Sequence, residues 1–399
     1  MMILVVNAGS SSLKCALFEM PARRVLASGQ VERIGQPDAR LSLTGNGLRV
    51  GRPCRADDHE QALAALMQCL VDGKVVSDVA QVEAVGHRVV HGGDMTHSVV
   101  VDDGVLETIR RCAVLAPLHN PPNLAGLAAA SHMLPGRPQV AVFDTAFHSS
   151  MPPCAYLYAV PWALYEERRV RAYGFHGTSH RYVAARAAEL LGRPAEEVNL
   201  ITLHLGNGCS AAAVRAGRSV DTSMGLTPLQ GLVMGTRCGD VDPGLFFFLS
   251  QWLDMSPGEV YDLLNKQSGL AGLSGVGNDM REILRAAEAG SKRAALTLDV
   301  FAYRVRKYIG AYWAVLGRVH GVVFTAGIGE NSSRIRRMVC AGLEEMGLVL
   351  DEARNEAAAG AEAVISAEQS SVCAMVIPTN EELQIAVETY DVLCEGQHS

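Results

Sequence analysis

The chain has 399 residues, 49% hydrophobic and 19% charged, with 39 glycines; at about 150 residues per domain this reads as a soluble globular protein of two or three domains, neither a single small module nor a disordered chain. Lys+Arg 35 against Asp+Glu 42 leave a net charge of -7, so nucleic acid is not an expected partner and any phosphate must be gripped locally. The ten cysteines are scattered without CxxC or zinc-ligand spacing, and neither a secretory leader nor a membrane-length apolar run is visible, so a reducing cytoplasm is expected and a membrane is not.

In chain order, residues 2–6 form an apolar run that ends in Asn7-Ala8-Gly9-Ser10-Ser11-Ser12 and resumes at residues 13–18, which reads as strand, polar turn, strand. Arg88 stands in Gly86-His87-Arg88-Val89-Val90-His91-Gly92-Gly93; arginine fixed in a tight loop is suited to holding a carboxylate or phosphate bidentately. Asp144 ends the apolar strand Val142-Phe143, where an acid is either a cap for the next turn or a site residue. Thr178 before residues 181–191, with Gly192 beyond, predicts a helix.

Residues 200–205 then run into Gly206-Asn207-Gly208-Cys209-Ser210, continue to Val214, turn at Gly217 and resume at residues 219–223. This is the opening strand-turn-strand again, offset by half the chain, and it points to duplication of one α/β unit into two similar domains facing a cleft. Gly206 to Ala211 also matches G-x-G-x-x-A, but a dinucleotide site needs a helix there, whereas a second strand follows. Arg237 lies in another glycine-bearing loop, Gly235-Thr236-Arg237-Cys238-Gly239. Ser256-Pro257-Gly258-Glu259 predicts a capped helix start, and residues 322–331 a strand and glycine loop opening onto a helix over 332–346. In Thr379-Asn380-Glu381-Glu382 a capping box pairs Thr379 with Glu382 and leaves Glu381 for another task.

Three glycine-rich turns expose convergent N–H groups of the kind that bind phosphate oxygens, yet no GxxxxGK[ST] occurs. His87, His91, His148 and His180 read as structural, whereas His176 and His204 each lie beside a glycine that lets a ligand approach. No HExxH spacing supports zinc. Backbone cradles, oxygen ligands for Mg²⁺ and loop-held arginines meet the needs of phosphoryl transfer, without naming a substrate.

Asn7 to Lys14, Gly86 to Gly93, Phe143-Asp144-Thr145-Ala146-Phe147-His148, Tyr173 to His180, Gly225-Leu226-Thr227-Pro228 and Thr379 to Glu382 together resemble the acetokinase family, within the superfamily that joins acetate and sugar kinases to chaperone ATPases and actin. The resemblance runs from residue 2 to about residue 390. It implies an α/β protein of two duplicated ribonuclease-H-like (actin-like ATPase) domains with an interdomain nucleotide cleft. The expected division is residues 1–147 plus 382–399 and residues 148–381. The implied reaction is reversible, Mg²⁺-dependent transfer between ATP and acetate to give acetyl phosphate and ADP, with Mn²⁺ as a substitute ion and a homodimer formed through the second domain.

Carried over by position, Asn7 and Glu381 are implied as Mg²⁺ ligands. Lys14, His204, Leu205, Gly206, Asn207, Gly208, Asp279, Met280, Arg281, Gly327, Ile328, Gly329, Glu330 and Asn331 are implied as ATP contacts. Arg88 is implied in holding the acetate carboxylate, with Val90, Leu118, Phe175 and Pro228 around its methyl group, and Asp144, His176 and Arg237 as catalytic. Acetate is already ionised at neutral pH and needs no base, so the expected task of Asp144 is to orient Mg²⁺ waters or Arg237. Two departures stand out: Cys238 where the family has serine, expected to bring thiol sensitivity beside Arg237, and Gln230 where an acid is commoner, expected to be a surface difference. The alternatives are a propionate kinase with the same mechanism and, from another class, an ATP-driven clamp or chaperone, against which a carboxylate site at Arg88 argues.

Overall fold

The computed structural model describes residues 1–395 and divides into two compact units, Met1–Ser149 with Asn380–Ser399, and Ser150–Thr379. Both boundaries lie two residues from the expected ones, so Glu381 belongs to the first unit rather than the second. The last four residues of the expected first domain lie outside the described residues.

The first unit holds β1 (Met2–Ala8), β2 (Ser12–Glu19), β3 (Arg24–Glu32), β4 (Arg40–Gly45), β5 (Leu48–Pro53), β6 (Ala84–Val89), β7 (Val99–Val100) and β8 (Gln139–Phe143), in the order β5-β4-β3-β2-β1-β6-β8-β7. β1, β6 and β8 are parallel, and β1 to β5 form an antiparallel run. β1 is apolar from Met2 to Val6 because both its faces are covered. Leu4 and Val6 join Leu13, Leu17, Leu63, Leu66 and Leu70 on one side, while Ile3 and Val5 join Ala16, Phe18, Val140 and Ile385 of the C-terminal helix Glu381–Glu395 on the other. Full burial of Ile385 contributes roughly 1.5–3 kcal/mol to seating that helix. A Cβ on Gly86 would come within 2.3 Å of Thr389 Oγ1, so only glycine lets the helix lie on β6 this closely.

The second unit holds β9 (Asn199–Leu205), β10 (Cys209–Arg215), β11 (Arg218–Thr222), β12 (Gly321–Thr325), β13 (Ala363–Val364) and β14 (Cys373–Val376), in the order β11-β10-β9-β12-β14-β13. β9, β12 and β14 are parallel and β9, β10 and β11 antiparallel. The succession β3-β2-β1-β6-β8 therefore recurs as β11-β10-β9-β12-β14, and the repeated grammar of the sequence is a repeated topology. In open α/β sheets ligands bind beyond the carboxyl ends of the parallel strands. Here those ends carry Asn7, Arg88 and Asp144 in the first unit, and Leu205 and Thr325 in the second.

Three local expectations are corrected. The glycine run after β12 is not a loop but the short helix Ala326–Asn331, entered through Ala326 at φ 62°, and the helix after it, Ser333–Cys340, stops before residue 346. The C-terminal helix is capped by Asn380, whose Oδ1 accepts from the Leu383 N–H at 3.0 Å, while the Thr379 hydroxyl bonds to Ser179 at 2.9 Å. The Ser256 capping box forms as expected. Among the described residues no helix is long and apolar enough to cross a membrane.

Candidate active site

In the first unit the ends of β1, β6 and β8 gather Arg88, Asp144 and Glu381. Asp144 is fully buried and receives the guanidinium fork of Arg88, Nε to Oδ1 at 3.2 Å and Nη2 to Oδ2 at 2.7 Å. Glu381, at the start of the C-terminal helix, lies 3.6 Å from Arg88 Nε. Burial opposes the charge of Arg88, but Asp144 and Glu381 outweigh it and raise its pKa further. Burial, with the charges of Asp144 and Glu382, pushes the Glu381 carboxyl up against the opposing pull of Arg88 and Lys14. The pocket thus holds more carboxylate than cation, a setting that favours a bound cation.

Two residues that sequence reasoning missed hold the backbone around Arg88. Buried Asn123 accepts from Val90 N–H at 3.1 Å and donates to Ala8 O at 2.9 Å, stitching β1 to β6. Asn120 bonds both the N–H and the carbonyl of His91. Their signal was Asn-Pro-Pro-Asn, two amides three apart and therefore on one face of the helix Asn120–Met133. Val90 is buried as a pocket residue would be, whereas Leu118 is 44% exposed. Lys14, exposed on β2, lines a cavity of about 420 Å³ with Gln30, Ser42, Asn380 and Glu382.

In the second unit the β9–β10 turn brings the predicted loops together. The Gly235 N–H donates to Asn207 O at 2.8 Å, and Asn278 Nδ2 donates to Asn207 Oδ1 at 2.9 Å. A Cβ on Gly208 would lie 2.9 Å from Arg237 Nη2 and 3.1 Å from His176 Nε2, so the guanidinium and the imidazole edge converge over this glycine. Arg237 donates to Pro228 O at 2.7 Å and has no carboxylate partner among the described residues; burial lowers its pKa. Pro228 thus contributes a carbonyl here. Phe175 is buried.

His176 enters the helix Gly177–Leu190 at φ 55°, accepts or donates at Nδ1 to Ser210 Oγ at 2.9 Å, and stacks on His204 with centroids 4.2 Å apart. His204 Nδ1 bonds Ser179 Oγ at 2.8 Å. His180 is structural in being fully buried, but it also joins Thr202 and Ser210, a connection invisible in sequence because it spans a helix and two strands.

Other predicted contacts have local duties. Asp279 caps the helix Met280–Glu288 and pairs with Arg281 at 2.6 Å, which holds its carboxyl near about 2. Met280 is buried as an anchor. Glu330 accepts from the N–H groups of Ala326 at 2.7 Å and Thr379 at 3.1 Å, so its carboxylate braces the short helix, while Gly327 and Asn331 are exposed. Fully buried Arg336 holds that helix from behind, donating to Gly329 O and Glu330 O at 2.9 and 2.8 Å. Of the two departures, Cys238 runs against the expected thiol sensitivity, and Gln230 lies on the surface as expected but with a partner there. The Cys238 thiol donates to Gly239 O and is pushed up by burial, which disfavours the reactive thiolate. Gln230, though exposed, accepts from the Tyr158 hydroxyl at 2.7 Å.

Comparison with known proteins gives a match between residues 2–387 and the Acetokinase family. Acetate kinase of Thermotoga petrophila is 52% identical, covering 98% of this chain and 99% of that protein. Among solved structures, Porphyromonas gingivalis acetate kinase superposes with a TM-score of 0.92 at 46% identity, and a propionate kinase from Francisella tularensis with 0.92 at 41%, each covering 98% of this chain and 99% of the other.

Proposed function

The chain belongs to the acetokinase family, and on that premise we propose that it transfers a phosphoryl group reversibly between ATP and acetate, giving acetyl phosphate and ADP. The observation that carries the reading is Arg88, a guanidinium at the carboxyl end of a parallel strand, bound by Asp144 and beside the buried Val90. With Nε and Nη2 engaged by Asp144, the Nη1 side of the guanidinium is what can meet a small carboxylate, with an apolar neighbour for its methyl group.

The acceptor is already nucleophilic as a carboxylate, so the task of the protein is positioning and charge stabilisation. Arg88 would hold the acceptor, with Asp144 fixing the guanidinium rather than moving a proton. His176 and Arg237 would donate to the oxygens of the transferred phosphoryl group, and the carboxylate-free surroundings of Arg237 keep its charge available for them. The β9–β10 turn, Asp279-Met280-Arg281 and the helix Ala326–Asn331 would contact ATP.

Asn7 and Glu381 offer hard oxygen donors, and the carboxylate excess around Glu381 fits a divalent cation. Among the described residues no three His, Cys, Asp or Glu side chains converge as a cage; two protein oxygens suit Mg²⁺, which keeps waters and phosphate oxygens as its other ligands. When bound, the ion would offset phosphate charge; Mn²⁺, taking the same ligands, would substitute.

A homodimer through the second unit is part of the reading, supported by Phe247 at 69% and Trp252 at 78% exposure on one helix. So is a cytoplasmic location, supported by ten free cysteines. The likeness to a propionate kinase keeps that substrate in view, since one methylene is worth only about 1–3 kcal/mol of discrimination. The test is ADP formation from Mg-ATP with acetate, propionate, butyrate or no acceptor, for wild type and Arg88→Ala. Turnover that depends on the acid and collapses in the variant supports the reading, and the acetate-to-propionate ratio of kcat/KM names the substrate. Hydrolysis indifferent to every acid and to Arg88 would leave an ATP-driven clamp as the better account.

A further inference from the structure

We propose that Thr202, His180 and Ser210 form a directed chain of hydrogen bonds that holds His176 neutral, with its proton on Nε2. This rests on the assignment of His176 to phosphoryl transfer made above. Thr202 on β9, Ser210 on β10 and His180 on the helix Gly177–Leu190 are each fully buried. Thr202 Oγ1 lies 2.7 Å from His180 Nδ1, His180 Nε2 lies 2.7 Å from Ser210 Oγ, and Ser210 Oγ lies 2.9 Å from His176 Nδ1.

Distances alone permit either direction of donation, because hydroxyls and neutral imidazoles both donate and accept. Thr202 decides it. Among the described residues its hydroxyl has one partner, His180 Nδ1, and a buried hydroxyl hydrogen without an acceptor is costly. Thr202 therefore donates to Nδ1 of His180, whose own proton must sit on Nε2 and point to Ser210. Ser210 accepts it and spends its single hydrogen on Nδ1 of His176. His176 is left with its proton on Nε2, the edge that converges with Arg237 over Gly208.

Charging His176 would place a second proton on Nδ1, reverse the chain and strand the Thr202 hydrogen. The Arg237 guanidinium, converging on the same point over Gly208, further opposes a positive charge there. The consequence is a neutral donor of fixed orientation, ready for an oxygen that gains charge during transfer and needing no rearrangement at that moment. Thr202, His180 and Ser210 are positioning residues in this scheme, acting only through His176.

The test is ¹⁵N NMR of the full chain with labelled histidine at neutral pH, with signals assigned by their loss in His176→Gln and His180→Gln. Nε2–H tautomers are expected for both residues; an Nδ1–H or doubly protonated His176 overturns the proposal. Thr202→Val keeps the shape and removes the donor. It should mix the His176 tautomers and lower kcat by about tenfold with KM for ATP and acceptor little changed, whereas Thr202→Ser should retain both wild-type properties. An unaltered tautomer in a folded Thr202→Val protein also overturns it, and should that variant not fold, the wild-type spectrum still decides. An Nε2–H spectrum without acid-dependent turnover would count against the proposed function alone.

Discussion

Replacing Gly208 by alanine tests whether His176 and Arg237 act together. Gly208 is not in the left-handed region, so its backbone accepts alanine, but the new Cβ would stand 2.9 Å from Arg237 Nη2 and 3.1 Å from both Cε1 and Nε2 of His176. Ordinary contact begins near 3.4 Å, so the guanidinium must retreat by about 0.5 Å and the imidazole by about 0.3 Å. A misplacement of ~1 Å costs ~100-fold, so half of that predicts about a tenfold loss of kcat, equivalent to ~1.4 kcal/mol of transition-state stabilisation. The fold should survive, since the atoms displaced are side-chain ends, and the thermal midpoint should move by no more than about 2 °C. Gly206→Ala is the comparison: its Cβ meets nothing closer than 3.4 Å, so kcat should hold while KM for ATP rises. Coupled-assay kinetics on both variants would read this directly. A kcat within twofold of wild type for Gly208→Ala, or equal losses of kcat in the two variants, would refute the reasoning.

Asp144→Asn should cost about 2 kcal/mol of stability by urea unfolding, below the 3–5 typical of a broken buried pair because Arg88 keeps Glu381 nearby; if Asp144 orients rather than transfers protons, activity should persist with a higher Mg²⁺ requirement. His87 is buried and its imidazole is pushed down from 6.5 to about 4, so below the unfolded value the unfolded chain takes up a proton that the folded state refuses. Stability present above pH ~6.5 is therefore lost as pH falls towards 4, by roughly 3 kcal/mol from this residue, and His87→Leu should flatten the pH profile of the thermal midpoint over that window. Arg336→Met would leave the carbonyls of Gly329, Glu330 and Asn355 without their buried donor; at ~1 kcal/mol or more for each, a loss of about 3 kcal/mol is expected in denaturant titration, with KM for ATP raised as the short helix Ala326–Asn331 loosens.

The cap of the C-terminal helix shows how far local reading reaches. Both Thr379 and Asn380 have side chains able to cap, and the sequence cannot choose between them until Ser179, two hundred residues away, takes the Thr379 hydroxyl. The glycine run after β12 reads as a phosphate loop in isolation, yet Glu330 and Arg336 fold it into a helix by occupying its N–H and carbonyl groups. In both places a tertiary partner overrides a local preference of about 1 kcal/mol.

What the sequence determined by itself was the duplicated strand-turn-strand grammar and the glycine turns, and it singled out Arg88, Asp144, His176, Arg237 and Glu381 as candidates, because apolar periodicity, turn chemistry and motif spacing are local properties. Which donor meets which acceptor was decided only by the tertiary structure. The pairing of Arg88 with Asp144, the amide stitching by Asn120 and Asn123, and the line from Thr202 through His180 and Ser210 to His176 all join residues that parallel strands and their covering helices bring together across long stretches of chain. A buried polar atom takes the nearest partner in space, and hydrophobic periodicity along the chain carries no record of that choice.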